Sequence, residues 1–337
     1  MKEVRFGIAG LGRLGKVHAG NIASRIPGAK LVAACSIVEA ELEYAREKLG
    51  ITKTYTDFRE MVKDPDLDAV AIVTTSSEHC WQIEAALDAG KHVFCDKPLG
   101  VTLEECEIAR AAVERHPELT FMLGFMRRFD PSYAYAKRKI ESGAIGTPYM
   151  VKATGIDPEA TVEGSIRFAR TSGGIFVDMA VHDIDLMRWF LGSEATEVYA
   201  MGATFKHPEF REAGDDETGV AVYKFENGAI GTIHVGRTAA HGYHIETEIV
   251  GTDGSIRISP VPEANLAVLY NSNGVVTECV DSFQTRFADA YRLEVEEFVH
   301  CLIEGRKPDV TVYDGINSTK IAFATTKAWK SGKPVAI

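Results

Sequence analysis

The sequence predicts an α/β protein made of a doubly wound parallel sheet and a following α+β domain with a large, mostly antiparallel open sheet. Up to about residue 122, apolar runs alternate with helical stretches, which is typical of a parallel sheet with helices on both faces. After residue 215, β-prone runs surround Asn-Gly and Asp-Gly pairs, the strongest short-range signal for antiparallel hairpins. A length of 337 residues fits two domains. We place them at 1–122 and 123–337, with the C-terminal helix packing back on the first.

The composition excludes several classes of protein. A net charge of −11 argues against nucleic-acid binding, which needs clustered Lys and Arg. No apolar run reaches the length of a membrane span, and the start MKEVRFGIAG is too polar for a signal peptide, so we expect a cytoplasmic protein. The six cysteines show no CxxC spacing, which predicts reduced thiols and no metal site.

The first half of the chain alternates between strands and helices. The predicted strands are VRFGIA at 4–9, KLVAACS at 30–36, DAVAIVTT at 68–75, KHVFCDKP at 91–98 and LTFMLGF at 119–125. The first three intervening helices end before Pro27, at Gly50 and at Gly90, where helix-breaking residues stand. The fourth starts at Thr102 and Glu105, whose spacing is that of a capping box.

The second half mixes helices with hairpins. A helix is predicted over 173–191, hairpins around Asn227-Gly228, Asp253-Gly254 and Asn273-Gly274, and two further helices over 289–305 and 315–332. The hairpin sheet has no obvious helical cover for both faces. We therefore expect a homo-oligomer, a tetramer, packed through that sheet.

The segment after the first strand carries the pattern Gly10-x-Gly12-x-x-Gly15, with Arg13 and Leu14 between the last two glycines. In a strand-turn-helix context, the first glycine permits the tight turn, the second lets a pyrophosphate approach the backbone, and the third lets the helix pack on the strand. The pattern predicts a Rossmann domain that binds a dinucleotide at the helix N-terminus.

Ser36 stands at the end of the second strand, where NAD-binding domains usually carry an acid for the ribose hydroxyls. Glu39 is the nearby acid that we expect to substitute for it. No Arg follows directly to bind a 2′-phosphate. We therefore expect NAD as the cofactor, with NADP tolerated at a modest disadvantage.

Polar residues follow the later strands at the same sheet edge, where ligands of open α/β sheets bind. They are Thr74, Thr75 and His79 after one strand, Asp96 and Lys97 at the end of the next, and Arg127 and Arg128 after the last. Asp96 and Lys97 fit either a cofactor site or an ordinary charge pair in a surface loop. We expect at least one of the two arginines to be solvated.

The predicted helix over 173–191 carries Asp178, His182 and Asp185 at positions i, i+4 and i+7. On a continuous helix these side chains share one face. Buried ionisable groups are costly unless paired or used, so this face belongs either to a satisfied core network or to a functional site.

Taken together, GLGRLG, DKP at 96–98, GFMRRFD at 124–130 and GGIFVDMAVHDID at 173–185 resemble the glucose-fructose oxidoreductase / inositol dehydrogenase / rhizopine catabolism family, and within it the inositol dehydrogenases. The resemblance extends from residue 5 to about 330. It implies Lys97, Asp178 and His182 as catalytic residues. It also implies that Arg127, Asp157 and Tyr243 line a polyol pocket.

The activity implied by the resemblance is NAD-dependent oxidation of a secondary hydroxyl of a cyclic polyol. Myo-inositol, oxidised to 2-keto-myo-inositol, is the first expectation, followed by scyllo-inositol and then a pyranose sugar. His182 would act as base, Asp178 would orient it and Lys97 would stabilise the alkoxide. A non-catalytic NAD(P)-sensing regulator is the alternative from another class.

Three departures from the family pattern concern the cofactor site. Asp96 stands where Glu is usual, TTSSEH at 74–79 lacks a common proline although His79 is present, and Ser36 replaces the usual acid. The last of these bears on the choice between NAD and NADP.

Overall fold

The computed structural model describes residues 2–170, 172–259 and 261–337. The chain divides into two compact units. Unit 1 contains Met1–Phe129 and Asp289–Thr319, and unit 2 contains Asp130–Ala288 and Lys320–Ile337. A late segment of the chain thus belongs to the first unit.

Unit 1 is built on a six-stranded parallel sheet, as predicted. Its strands are β1 (Val4–Ala9), β2 (Ala29–Cys35), β3 (Lys53–Tyr55), β4 (Ala69–Ile72), β5 (His92–Asp96) and β6 (Phe121–Gly124). Its connecting helices are α1 (Arg13–Ser24), α2 (Glu39–Leu49), α3 (Phe58–Val62), α4 (His79–Asp88) and α5 (Leu103–Arg115). The sequence analysis missed β3 and α3, because elements of three and five residues show no clear periodicity.

The strand order is β3-β2-β1-β4-β5-β6, that of a doubly wound dinucleotide-binding sheet. Helices on both faces explain why β4, and β1 apart from Arg5, are apolar: Phe6 and Ile8 are fully buried, as is every residue of β4. The order reverses between β1 and β4, and a crevice forms there at the carboxyl ends of the strands. Residues that follow β1, β2 and β4 therefore face one cavity.

Unit 2 is built on a seven-stranded mixed sheet. Before this sheet's central hairpin come α6 (Pro131–Glu141), β7 (Pro148–Pro158), α7 (Val162–Ala169), α8 (Ile175–Asp178), α9 (Val181–Leu191), β8 (Ala195–Ala203) and α10 (Glu209–Glu212). The elements that follow are β9 (Thr218–Phe225), β10 (Ile230–Ala239), β11 (His244–Gly251), β12 (Ser255–Ile258), β13 (Leu269–Asn271), β14 (Gly274–Val276) and α11 (Phe283–Arg286). Helix α12 (Ala288–Glu304) belongs to unit 1 from Asp289 onward, α13 (Val312–Ser331) continues from unit 1 into unit 2 at Lys320, and β15 (Val335–Ala336) completes unit 2.

The sheet order is β12-β11-β7-β10-β9-β8-β15, antiparallel except for the parallel pair β7 and β10. All three predicted hairpins are confirmed. The hairpin β13-β14, however, forms a separate two-stranded sheet. The strands β7, β8 and β15 were not predicted, because their pairing is set by partners distant in sequence.

The two faces of the unit 2 sheet differ. Helix α9 packs against β7 on one face, and every residue of α9 except Trp189 is buried. The other face shows exposed apolar side chains at alternate positions of adjacent strands: Tyr199, Met201, Val220, Val222 and Ile230. Tyr199 pairs with Val222 and Met201 with Val220 across the strands, so they form rows. None of the described helices is long and apolar enough to cross a bilayer.

Candidate active site

The turn between β1 and α1 contains three glycines, and the reason why a side chain is excluded differs among them. Gly10 has a φ of +83°, and an added Cβ would lie 2.4 Å from the carbonyl oxygen of Val73. At Gly15 it would lie 2.1 Å from the carbonyl oxygen of Gly10. At Gly12 it would meet only Oε1 of Glu41, at 3.9 Å. Packing among the described residues therefore explains Gly10 and Gly15 and leaves Gly12 to be explained by a ligand that approaches the backbone, as a pyrophosphate does.

A cavity of about 850 Å³ opens at the carboxyl ends of β1, β2 and β4. The predicted cofactor-binding residues that line it are Gly10, Gly12, Arg13, Leu14, Gly15, Ser36, Thr74, Thr75 and Asp96. A cavity of this size is typical of ligand sites. The structure thus brings together residues of three strand ends, while Lys97 and His79 are not among the residues that line this cavity.

The acid that contacts Ser36 is Glu41 and not Glu39, the acid expected from the sequence. Ser36 Oγ donates a hydrogen bond to Glu41 Oε2 at 2.6 Å, and Leu11 N–H donates to the same oxygen at 3.1 Å. Glu39 is exposed and pairs with Arg46 of its own helix. The two glutamates stand two residues apart, about 200° around α2, so only one of them turns toward the glycine-rich turn.

His79 connects the segments that follow β4 and β5. Its Nδ1 lies 2.8 Å from the carbonyl oxygen of Pro98, and its Nε2 lies 3.2 Å from that of Thr74. Burial lowers the pKa of His79, which favours the neutral imidazole. The ring therefore supports the segment in which Lys97 stands, and its predicted contact with the cofactor stays a prediction.

A buried cluster lies behind the end of β5. His18 and Glu294 are fully buried, with 3.8 Å between Nε2 and Oε1. An added Cβ at Gly124 would lie 3.2 Å from Glu294 Oε2. Burial raises the pKa of Glu294 well above its usual range, with the charge of Asp96 adding to the effect, and burial raises the pKa of Asp96 itself to about 6, although Lys97 opposes that rise.

The sequence analysis missed this cluster, although α12 carries a signal for it. Tyr291, Glu294, Val295 and Phe298 recur at helical spacing, and all four are buried. Glu294 therefore occupies a core position of an amphipathic helix. A carboxyl at such a position indicates an unusual environment.

The predicted helix over 173–191 is not continuous. It is observed as α8 and α9, with the turn residues Met179 and Ala180 between them. Asp178 thus ends α8, and the expectation that it lies on one continuous helix with His182 and Asp185 is wrong. The short α8 is held from outside: the N–H of Ile175 donates to Asp215 Oδ1 at 2.9 Å.

Arg237 of β10 binds two carboxylates of unit 2, and sequence reasoning missed it. Its Nη1 lies 3.2 Å from Asp178 Oδ2, and its Nη2 lies 3.4 Å from Asp215 Oδ2. Burial raises the pKa of Asp215, whereas Arg237 opposes that rise. Asp178 is therefore anchored to the sheet by a buried guanidinium.

His182 and Asp185 both lie on α9 and are buried. Asp185 Oδ1 is 3.7 Å from Nη1 of Arg188, whose Nε donates to Glu194 Oε2 at 2.6 Å. Of the two interpretations offered by the sequence, the structural network thus applies to Asp185. His182 is 8% exposed and keeps its predicted role as a proposal.

The two arginines after β6 are both buried, so the expectation that one of them is solvated is wrong. Arg127 is 4% and Arg128 8% exposed. Arg128 Nη2 donates to Asp314 Oδ1 at 2.8 Å. Arg128 is thus a structural cation of unit 1, and Arg127 lies beside it in the turn Met126–Phe129.

The two remaining predicted pocket residues lie in unit 2. Asp157 is near the end of β7 and is partly buried. Tyr243 precedes β11 and is buried, with its ring edge-on to that of Phe287. Its N–H donates to the carbonyl oxygen of Val280 at 2.8 Å. Both residues stay predictions for the polyol site.

Comparison with known proteins supports the resemblance that the motifs indicated. Residues 4–125 match the oxidoreductase family with an NAD-binding Rossmann fold, and residues 133–257 match the GFO/IDH/MocA C-terminal domain. The chain belongs to the GFO/IDH/MocA family. It is therefore an oxidoreductase with an NAD-binding domain, and the non-catalytic regulator is set aside.

Similar proteins are named as inositol dehydrogenases. A Bacillus subtilis protein, scyllo-inositol 2-dehydrogenase (NAD(+)), is 38% identical over 99% of this chain and 96% of its own length. The crystal structure of scyllo-inositol dehydrogenase from Lactobacillus casei with bound NAD(H) and scyllo-inositol is 44% identical, with a TM-score of 0.97 and 99% of both chains covered. That of myo-inositol 2-dehydrogenase from Lactobacillus plantarum is 42% identical, with a TM-score of 0.97 and 100% of both chains covered.

Proposed function

We propose that the protein oxidises an inositol at C2 to 2-keto-myo-inositol with NAD. The observation that carries the proposal is the similarity, at 44% identity over 99% of the chain, to the Lactobacillus casei enzyme that holds NAD(H) and scyllo-inositol. The cavity beside Gly12 supports the cofactor half of the reaction. Myo-inositol is the substrate expected from the sequence, and the names of two relatives favour scyllo-inositol equally.

The proposed roles follow from the chemistry of alcohol oxidation. His182 removes the hydroxyl proton, Asp178 holds the imidazole in one tautomer, and Lys97 stabilises the negative charge that develops on the oxygen. When bound, NAD supplies the hydride acceptor. Arg127, Asp157 and Tyr243 hold the other hydroxyls of the ring, because a polyol needs donors and acceptors at fixed positions.

The anchoring of Asp178 by Arg237 supports its positioning role. A carboxylate that orients a histidine must itself be held in place. The 3.2 Å contact with a buried guanidinium supplies that support. We therefore include Arg237 in the proposal as a residue that acts on His182 through Asp178.

The catalytic assignment is tested by steady-state kinetics with NAD and both inositols. We expect Lys97→Met and His182→Ala to keep NADH affinity and to lower kcat by about 100-fold or more, the scale of losing a general base. Lys63→Met and His300→Ala are matched controls, because both side chains are exposed, and they should retain wild-type turnover. Near wild-type kcat in either test variant would overturn the assignment.

The preferred inositol is tested through the reverse reaction. Myo-inositol and scyllo-inositol differ only in configuration at C2, so oxidation there produces the same ketone from both. Reduction of that ketone by NADH and separation of the two epimers then reports which face of the ring the enzyme uses. Formation of a single inositol epimer supports the proposal. If the enzyme does not reduce the ketone but oxidises a pyranose, then the proposed substrate is a sugar and not an inositol.

The proposal includes a cytoplasmic homotetramer. Its support is the exposed apolar face of the unit 2 sheet, where Tyr199, Met201, Val220 and Val222 stand in rows, since monomers rarely expose such a patch. Val222→Lys on this face should dissociate the assembly, whereas Lys224→Met, the neighbouring exposed position, should not. Light scattering that reports a monomeric wild type at micromolar concentration would overturn the tetramer.

A further inference from the structure

Selection between NAD and NADP depends on which group faces the ribose 2′ position at the end of β2. Ser36 carries no charge there, so the sequence alone predicts only a modest preference for NAD over NADP. The structure adds Glu41, which lines the same cavity as Ser36 and Gly12.

The carboxylate of Glu41 is held in one orientation by two donors. The Ser36 hydroxyl lies 2.6 Å and the Leu11 N–H 3.1 Å from Oε2. Charge-assisted hydrogen bonds of this kind favour the ionised carboxylate. Both bonds use Oε2, so Oε1 is the oxygen that stays available to a hydroxyl donor, on the side where it lies 3.9 Å from the Cβ position of Gly12.

The charges around the cavity also favour NAD over NADP. Among the described residues, its lining contains the carboxylates of Glu41, Asp57, Glu78 and Asp96, and one cation, Arg13. A ribose hydroxyl gains an acceptor in these surroundings. A 2′-phosphate meets like charge and loses its hydration.

We propose that Glu41 selects NAD over NADP by accepting a hydrogen bond from the adenosine ribose, and that Ser36 is the positioning residue that fixes Glu41. The inference rests on NAD use in the proposed function and adds the residue that sets the preference. The sequence predicted a modest preference for NAD over NADP, whereas this arrangement predicts a strong one. The reason is that Glu41 of α2 supplies the carboxylate that is missing at the end of β2.

The test is a binding titration with NADH and NADPH in the absence of polyol. For the wild type we expect NADH to bind tighter by on the order of 100-fold, since specificity combines the attraction for one ligand with the repulsion of the other. Glu41→Gln should reduce the ratio of the two Kd values to about 10 or less, through weaker NADH and stronger NADPH binding. Glu39→Gln is the matched control, because that side chain is exposed, and it should keep the wild-type ratio.

Two substitutions at Ser36 test whether the ribose is bound by Glu41 or by a carboxylate at position 36, as in the usual NAD-binding pattern. Ser36→Ala removes a donor to Glu41 and should lower the ratio less than Glu41→Gln does. Ser36→Asp places a second carboxylate beside Glu41 and should weaken NADH binding by about 10-fold through like-charge repulsion. Tighter NADH binding in Ser36→Asp would overturn the proposal.

The remaining outcomes are equally decisive. A wild-type Kd ratio near one, or a Glu41→Gln ratio within twofold of wild type, contradicts the proposal. Glu41→Ala gives the same readout if Glu41→Gln is insoluble. Selective NADH binding without inositol oxidation would contradict the proposed function and leave the role of Glu41 supported.

Discussion

The two units surround a buried carboxyl group in opposite ways. In unit 2, the buried Asp215 shares the guanidinium of Arg237 with the partly exposed Asp178, and the two terminal nitrogens lie 3.4 and 3.2 Å from these carboxylates. In unit 1, the basic group within 4 Å of Glu294 among the described residues is His18, at 3.8 Å. The first carboxyl group is paired with a cation, whereas the second lies beside a buried imidazole.

The difference shows what decides the state of a buried acid. Burial raises the pKa of both Asp215 and Glu294. At Asp215 the cation of Arg237 opposes this effect, whereas at Glu294 the charge of Asp96 adds to it. Burial therefore favours the protonated form of Glu294, and it lowers the pKa of His18 to about 4, which favours the neutral imidazole.

The largest expected effect comes from removing the shared cation. Arg237→Met leaves the buried Asp215 without its guanidinium and removes the cation beside the partly exposed Asp178. Breaking a buried ion pair costs about 3 to 5 kcal/mol. Urea denaturation at pH 7 measures the free energy of unfolding. Adding Asp215→Asn should recover part of the loss, because one uncompensated charge disappears.

Arg257→Met is the control for this substitution. Arg257 pairs with Glu246 but is largely exposed, and exposed pairs contribute about 0 to 1 kcal/mol. If Arg237→Met is no more destabilising than Arg257→Met, then the network is not held by charge.

The next effect concerns His18 and appears in acid. Its folded-state pKa of about 4 lies below the unfolded value of 6.5, so the unfolded state binds the proton more tightly and stability is lost as pH falls from 6.5 toward 4. A shift of this size corresponds to about 3 kcal/mol over that window. His18→Leu should flatten the acid limb of unfolding free energy against pH by up to that amount.

His300→Leu serves for comparison, because His300 is exposed and should leave the acid limb unchanged. The measurement is urea denaturation at several pH values between 7 and 5. Parallel curves for wild type and His18→Leu would mean that His18 is hydrated or paired in the folded protein.

The smallest effect, measured over a single pH unit, is expected at Glu294, and it has the opposite sign to that at His18. Because the folded pKa is raised, the contribution of Glu294 is fully present below the unfolded pKa of about 4.5 and is lost as pH rises toward the folded one. The wild type should lose about 1.4 kcal/mol per pH unit relative to Glu294→Gln between these two pKa values. Glu43→Gln, at an exposed position, should show no such divergence.

Much of unit 1 was predictable because its signals are local. The capping box of Thr102 and Glu105 is present as predicted, and α2 ends at Gly50 as predicted, with this glycine in the left-handed conformation. The strand-turn-helix around Gly10 is also present, because Gly10 and Gly15 are required by contacts within a few residues or with the adjacent strand. Unit 2 was predicted less completely, because its sheet pairs β7 with β10 and β11 across long sequence separations.

The sequence by itself determined the fold class, the glycine-rich turn and the hairpins, because turn chemistry and periodicity act between neighbouring residues. Only the tertiary structure decided which acid stands beside Ser36 and which cation holds Asp178. Glu41 and Glu39 differ by their direction around a helix, and Arg237 is 59 residues from Asp178 in the chain. Such contacts depend on how separate elements pack together, which no local pattern specifies.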